Sequence, residues 1–453
     1  MSFQAQHVVP AERNEVWHWH TRAGALTRLT PPFTFMTPLS QAESLADGTS
    51  VLGIAGGLKW VARHDLSRYL KGHSFSDVCI SAPMRALAQW RHDHRFSDHP
   101  QGTLITDTVD TRIPGSALES IFAYRQRQLI GDISFAQQLG PLNERPLTIA
   151  LTGSHGGVGR ALAAQLSTLG HTVIPLVRSA PTGPTGAQRL WRPEDPTEDL
   201  LRGADVLIHL AGEPIFGRFN SAHKKDIRSS RVEPTRRLAE LAARTEGLRA
   251  MICASAIGFY GPDRGSTELH EDSSRGEGFL ADVVADWEAA CQPARDGGVR
   301  VVSMRTGVVL SGNSGVLPIM RALFSTGLGG SLGKGNFWYS WVALDDLTDM
   351  YVRAALDESW EGAFNAVSPT PVLNKDFGAA LGGTLKRPAV VPIPTLGPAL
   401  LLGKEGAREL ALADQKVLPA RVTQHGHVFR YPTIEQALAH ELGAEQLVET
   451  STA

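Results

Sequence analysis

The run Thr152-Gly153-Ser154-His155-Gly156-Gly157-Val158-Gly159 constrains the fold of this chain more than any other stretch. It separates a short apolar run, Leu147–Leu151, from a segment with helical spacing that extends from about Arg160 to Leu169. Strand, glycine turn and helix in that order open a dinucleotide-binding βαβ unit. Gly153 permits the tight turn, Gly156 lets the backbone approach a pyrophosphate, and Gly159 lets helix and strand pack closely. Amides of the first helical turn and the helix dipole then face an anion. Gly170 ends the helix, and further buried-strand candidates follow at Thr172–Val177, Asp205–Leu210, Ala250–Ser255 and Arg300–Arg305. Strands alternating with helical stretches predict an α/β Rossmann domain, a doubly wound parallel sheet.

The end of the second strand indicates which nucleotide is expected. An Asp or Glu about 20 residues beyond the glycines binds ribose hydroxyls and favours NAD. Here the strand ends Leu176-Val177-Arg178-Ser179, without a carboxylate. A guanidinium suits a 2′-phosphate, and Ser179 adds a second donor. NADP(H) is therefore expected over NAD(H), the alternative being a solvated strand end.

Upstream the grammar differs. Leu139-Gly-Pro-Leu-Asn-Glu-Arg-Pro146 breaks both flanking patterns, so a linker is placed at 141–146 after a domain at 1–140. Eight of the sixteen histidines precede it, as do Trp17, Trp19, Trp60 and Trp90. Thr103–Asp110 alternates like a half-buried strand, and Leu118–Leu129 has helical spacing. An antiparallel sheet with a C-terminal helix fits. His92 and His94 share a face if they lie on a strand, but no third ligand stands at a telling spacing, so no metal is expected. The tryptophans and His18 and His20 are read as core and cavity wall. Pro181-Thr-Gly-Pro-Thr-Gly-Ala187 reads as a surface loop.

Composition excludes several classes. The 453 residues carry 44 Lys+Arg against 46 Asp+Glu, so nothing attracts nucleic acid or an anionic membrane in general. No run approaches the ~20 apolar residues of a membrane span. The first twenty residues lack the charged and apolar regions of a signal peptide. Cys79, Cys253 and Cys291 are far apart in sequence, and neither a disulfide framework nor a zinc knuckle is indicated. A soluble cytoplasmic protein is expected, with a small-molecule substrate and no membrane insertion.

Together with the glycine turn, Asp205-Val-Leu-Ile-His-Leu-Ala-Gly-Glu-Pro214 resembles the extended short-chain dehydrogenase/reductases. Ser229–Thr235, Ala254–Gly261, Trp287-Glu288, Arg305–Leu310, Tyr339–Leu347, Phe364–Pro369 and the tail Gly403–Pro432 resemble their atypical "nucleoside-diphosphate-sugar epimerase" subfamily, over about 147–440. The resemblance implies a Rossmann domain at 147–395 and a small C-terminal substrate region at 396–453. It implies cofactor contact for the glycine turn and for Leu210, Ala211, Gly212 and Arg305. Pro10-Ala11, Trp17–His20, Leu29–Pro32, Trp60, Phe75-Ser-Asp77, Trp90–His94 and Tyr124-Arg125 resemble START/polyketide-cyclase-like helix-grip domains. That implies an α+β domain holding a lipid or other hydrophobic ligand.

In the wider superfamily a Tyr and a Lys four residues later move the proton, the ammonium lowering the phenol's pKa. None of the six tyrosines here has a lysine four residues on. By resemblance Phe279 and Val283 occupy those places, and neither exchanges a proton. Ser255 matches the family's catalytic serine, and Tyr260 follows close behind it. Glu271 and Asp272 are carboxylate alternatives. Ala343 stands where related sequences carry a histidine, and Asp345 and Asp346 are read as helix caps. Thr433-Ile-Glu-Gln436 reads as a capping box. The expected function is an NADP(H)-binding oxidoreductase or epimerase acting on a hydroxyl or carbonyl carbon, with Ser255 and Tyr260 polarising the oxygen. A non-catalytic NADP(H) sensor or scaffold is the alternative, and a nucleotide-sugar epimerase the third.

Overall fold

A computed structural model describes residues 2–180 and 187–449, so the 181–186 part of the expected loop lies outside the described residues. The chain divides into two compact units at Glu144/Arg145, inside the stretch read as a linker. The first unit takes up 2–144 with 164–170 and 439–449; the second takes up 145–163 and 171–438. Of the C-terminal stretch, 396–438 cluster with the second unit and 439–449 with the first. Among the described residues no helix is long and apolar enough to cross a membrane.

The first unit is a seven-stranded antiparallel sheet. Its strands are β1 (Ser2–Val9), β2 (Met36–Ser40), β3 (Thr49–Ile54), β4 (Lys59–His64), β5 (Ser74–Cys79), β6 (Arg91–His99) and β7 (Gly102–Asp110). The last six form a meander, and β1 returns to pair along the free side of β7. Helix α1 (Arg13–Thr21) contributes Val16, Trp17 and Trp19 to a core with Phe75, Phe96 and Ile105. Helix α2 spans Glu119–Leu139, ten residues beyond the sequence-based limit, because its buried face continues through Asp132 and Ile133. Alternation in β7 is as expected, but its inward positions are Thr103, Ile105, Asp107 and Val109. Half of them are polar. Asp132 of α2 is bidentate with Arg28, at 2.8 Å from Nε and 2.5 Å from Nη2, both side chains almost completely buried.

The second unit is built on β8 (Thr148–Thr152), β9 (Thr172–Val177), β10 (Arg189–Leu190), β11 (Val206–His209), β12 (Ala250–Ala256), β14 (Arg300–Thr306) and β15 (Gly362–Ala366). These form one parallel sheet in the order β10-β9-β8-β11-β12-β14-β15. The order reverses beside β8, which makes a crevice at the carboxyl ends of β8 and β11, where doubly wound sheets hold ligands. Helix α3 (Gly157–Thr168) starts in this unit, which also holds α4 (Val232–Arg244), α5 (Phe279–Ala289) and α6 (Leu344–Leu356). β13 (Asp263–Leu269) pairs in parallel with β16 (Asp414–Val417), so part of the C-terminal stretch is woven into this unit by strand pairing. Thr433 and Gln436 exchange the bonds of the expected capping box, with Thr433 N donating to Gln436 Oε1 at 3.3 Å. Asp346 is not the helix cap expected of it. Asp346 instead accepts from the amides of Arg430 and Tyr431, and burial, with Asp349 beside it, pushes its pKa up to about 7.

Removing one partner of a buried ion pair strands the other charge. Arg28→Ala is expected to cost about 3–5 kcal/mol in urea unfolding of the first unit. The paired change Arg28→Met with Asp132→Leu is expected to cost far less, and tryptophan fluorescence reads both.

Candidate functional site

Gly153 ends β8 in the left-handed region, φ +72°, and donor Gly156 N closes the turn on Gly153 O at 3.0 Å. A Cβ on Gly159 would stand 2.1 Å from that same carbonyl oxygen, so α3 meets the strand only through glycine. His155 and Gly156 are exposed, and Gly157 and Val158 are half-buried. Ser154 Oγ is buried and has no hydrogen-bond partner. An orphaned hydroxyl inside a glycine turn fits a phosphate group, which would accept its proton.

Beneath the turn runs a fully used network. Thr152 Oγ1 accepts from the amides of Leu210 and Ala211 at 3.0 and 3.2 Å and lies 2.7 Å from His209 Nδ1. With both lone pairs taken, the hydroxyl proton goes to Nδ1, so His209 carries its own proton on Nε2 and donates to Thr235 Oγ1 at 3.1 Å. Trp287 Nε1 donates to the same oxygen at 3.0 Å. Burial, helped by Arg231, lowers the His209 pKa to about 3, which keeps the ring neutral. The Thr152 side chain and the Leu210 and Ala211 amides therefore brace β8 against β11, and these polar atoms are already used within the protein. Gly212 remains exposed at that edge, where a Cβ would stand 3.1 Å from Arg231 Cζ. Arg231 itself, buried and unremarked in the sequence beyond its place in the Ser229–Thr235 motif, donates to the carbonyls of Glu213 and Ile227. Burial lowers its pKa to about 10, so it stays a cation.

The groups expected to do chemistry lie in a second network. Ser255, Arg305 and Asn365 are register partners on β12, β14 and β15, and so form a row across three strands. Ser255 Oγ donates to Glu288 Oε1 at 2.6 Å. Arg305 holds the same carboxylate with two bonds of 2.8 Å and lies flat over the Phe259 ring, 3.5 Å from its centroid. Arg305 Nη1 donates to Tyr260 Oη and to the Glu271 carbonyl, both at 3.1 Å. Tyr260 is fully buried, its hydroxyl 2.7 Å from Asn365 Oδ1 and 2.9 Å from His270 O. Burial raises its pKa against the pull of Arg305.

These contacts correct three expectations. Tyr260 is enclosed and already hydrogen-bonded on every side, so it is not an exposed acid for a ligand. Every donor nitrogen of Arg305 serves the protein interior, which removes the cofactor contact expected of it. Ser255 faces the interior too: along β12 it is buried while its neighbours Ala254 and Ala256 are half-exposed. Strand alternation puts alanine, not serine, on the accessible side. Sequence matching missed this because a one-residue shift turns a side chain to the opposite face. Glu288, which organises the network, stood in the sequence only as part of a matching dipeptide.

The carboxylate alternatives also separate. Glu271 Oε1 accepts from the amides of Asn365 and Arg421 at 3.0 and 3.1 Å, while Asp272 is exposed. At the start of α5, Glu409 accepts from the amides of Phe279 and Leu280 at 2.9 and 2.7 Å. A carboxylate from the C-terminal stretch thus caps the helix that lacks the Tyr–Lys pair. Val283 is buried beside Leu280, and Phe279 packs on their cluster.

In the first unit a cavity of about 280 Å³ is lined by Trp60, Trp90, Leu52 and Phe75 and, among its polar groups, by His92, His94 and Asp77. His92 and His94 lie on one face of β6 and both approach Asp107 Oδ1, at 2.9 and 2.8 Å. Burial pushes the Asp107 carboxyl up, but the two histidine hydrogen bonds outweigh it and hold it well below the usual carboxylate range.

Residues 149–366 match the NAD dependent epimerase/dehydratase family, and 393–441 match a domain of unknown function, DUF1731. Epimerase family protein Mb2239 of Mycobacterium bovis is 37% identical over 295 residues, which are 64% of this chain and 96% of that one. A crystal structure described as the nucleoside-diphosphate sugar epimerase from Corynebacterium glutamicum aligns with TM-score 0.88 and 51% identity, over 99% of this chain and 91% of that one. Human epimerase family protein SDR39U1, solved with NADPH, aligns with TM-score 0.60 and 29% identity, over 65% of this chain and 99% of its own.

Tyr260→Phe removes one buried hydrogen-bonding hydroxyl and is expected to cost about 1–2 kcal/mol of stability. Nucleotide binding is expected to stay within twofold of wild type. Glu288→Gln leaves the Arg305 guanidinium without its counter-charge and is expected to cost about 3–5 kcal/mol. Calorimetry and a nucleotide titration on both variants check the assignment.

Proposed function

Because the chain belongs to the NAD dependent epimerase/dehydratase family, we propose that its second unit binds NADP(H) and acts on a hydroxyl or carbonyl carbon of a small molecule. The observation that carries this reading is the buried, partnerless Ser154 hydroxyl in the turn that Gly153 and Gly159 make possible. Ser154 and the first-turn amides of α3 hold the pyrophosphate. Arg178 and Ser179, both exposed at the end of β9, read the 2′-phosphate. Arg189, Arg192 and Arg202 line a recess of about 450 Å³ along the neighbouring β10 and make that edge electropositive. The NADPH in the human relative supports the same preference. Buried free thiols at Cys79, Cys253 and Cys291 support a reducing, cytoplasmic setting.

A bound nicotinamide supplies reversible hydride transfer at the reacting carbon. The chain's own part is positional. The neutral His209 relay locks the carboxyl ends of β8 and β11, and the Glu288–Arg305 pair locks those of β12 and β14. Glu409 holds the start of α5 at the same edge. A competing reading is a nucleotide-binding sensor without turnover. It is favoured by one observation: the accessible end of β12 carries only Ala254 and Ala256, with Phe279 and Val283 on the facing helix.

In the first unit, we read the antiparallel sheet and the 21-residue α2 as a START-like helix-grip fold. Its cavity then takes a hydrophobic small molecule or lipid, supported by the tryptophan and leucine wall.

Side-by-side titration with NADPH and NADH tests the nucleotide reading. Wild type is expected to bind NADPH at least about tenfold more tightly, and Arg178→Ala to lose that margin, about 1.4 kcal/mol or more. Equal affinity for both nucleotides in wild type removes the NADP(H) assignment. Bound NADPH left unoxidised by carbonyl compounds and nucleoside-diphosphate sugars favours the sensor.

A further inference from the structure

The floor of the first unit's cavity holds an arrangement that hydrogen bonding alone does not explain. Asp77 on β5 is the cross-strand partner of His92, and Asp107 on β7 is the partner of His94. All four side chains therefore project from one face of three adjacent strands. Asp107 Oδ1 lies 2.9 Å from His92 Nε2 and 2.8 Å from His94 Nδ1. A carboxylate only accepts, so both imidazoles turn an N–H toward Asp107. Their other nitrogens, His92 Nδ1 and His94 Nε2, then present lone pairs to Asp77 Oδ2, each at 3.8 Å.

Three acceptors facing one point repel one another unless a cation lies between them. A proton does not serve: it would draw one pair to 2.7–2.9 Å or so, the length of a charge-assisted bond. At 3.8 Å neither pair is hydrogen-bonded. Two ligands about 2.0–2.1 Å from a shared ion subtend roughly 3.3–3.4 Å at the tetrahedral angle. The two imidazole–carboxylate separations of 3.8 Å exceed that span by about half an ångström, and all three ligand atoms lie within 4.8 Å of one another, so closing on an ion takes side-chain shifts of about 1 Å or less each. The outer carboxylate that orients both rings is the partner that metal-ligating histidines ordinarily have.

We propose that Asp77, His92 and His94 bind a divalent transition metal of the zinc type, with Asp107 as the outer-shell acceptor and the remaining coordination position open to the apolar cavity. Two imidazoles and a carboxylate suit zinc and its neighbours rather than calcium or magnesium, which take oxygen ligands. Three protein ligands with an open fourth position are the pattern of a site that binds a further ligand. That ligand would be an apolar molecule with one oxygen or nitrogen donor, although metal uptake itself does not depend on the cavity reading above.

The test uses the full chain, stripped with chelator and titrated with Co²⁺, a visible-absorbing stand-in for zinc. Wild type is expected to take up one equivalent with the intense d–d absorption of a low-coordinate site. Asp107→Asn keeps all three ligands but not their orientation and is expected to weaken binding by about 10–100-fold. Asp77→Asn and the double change His92→Gln with His94→Gln are expected to abolish the band, with circular dichroism confirming a folded chain. Where a variant fails to fold, the wild-type measurement stands alone. Folded wild type that binds less than about a tenth of an equivalent overturns the proposal, as does uptake that all these variants leave unchanged.

Discussion

The carboxylate of Glu288 sets the terms for the whole carboxyl edge of the parallel sheet. It takes both arms of Arg305 and the hydroxyl of Ser255, and through Arg305 it reaches Tyr260 and the Glu271 carbonyl. Charges buried to this extent survive only when they are paired and hydrogen-bonded. The network provides this by recruiting residues from β12, β14, β15 and α5 at once. A side chain pulled into such a network is no longer free to meet a ligand. The residues that look most catalytic in the sequence are here the ones that hold the edge rigid.

The same economy governs the glycine turn. Thr152, His209, Thr235 and Trp287 consume one another's polar atoms, leaving the Ser154 hydroxyl as the orphan. A buried hydroxyl without a partner, set in a glycine turn at a helix N-terminus, marks where a ligand oxygen belongs. In the first unit the unmet need takes another form: lone pairs that face a carboxylate across 3.8 Å. At both sites the surrounding protein leaves polar atoms unsatisfied.

Much of the second unit was legible before any coordinates. The expected strands at Thr172–Val177, Ala250–Ser255 and Arg300–Arg305 match the observed elements within a residue, because buried parallel strands are short continuous apolar runs. The first unit was legible only in outline. Its strands carry polar residues inward, as Asp107 on β7 does, and this blurs the alternation that would reveal them. Asp77 stood in the sequence 15 residues before His92, with nothing at a metal-binding interval to join them. The pairing of β5 with β6 joins them, and pairing between strands is not a property of local sequence.

By itself, the sequence determined where backbone geometry admits few residues: the turn at Gly153, the helix-to-strand approach at Gly159, and with them the parallel fold and its nucleotide crevice. These follow from sterics within a dozen residues, so composition and spacing suffice. Tertiary structure alone decided which polar side chains face the crevice and which face inward. It turned Ser255 and Tyr260 inward, set Ala256 outward, and brought Asp77, His92, His94 and Asp107 to one face of three strands. The direction of a side chain depends on register and on partners far away in the chain, and both are settled only when the whole unit packs.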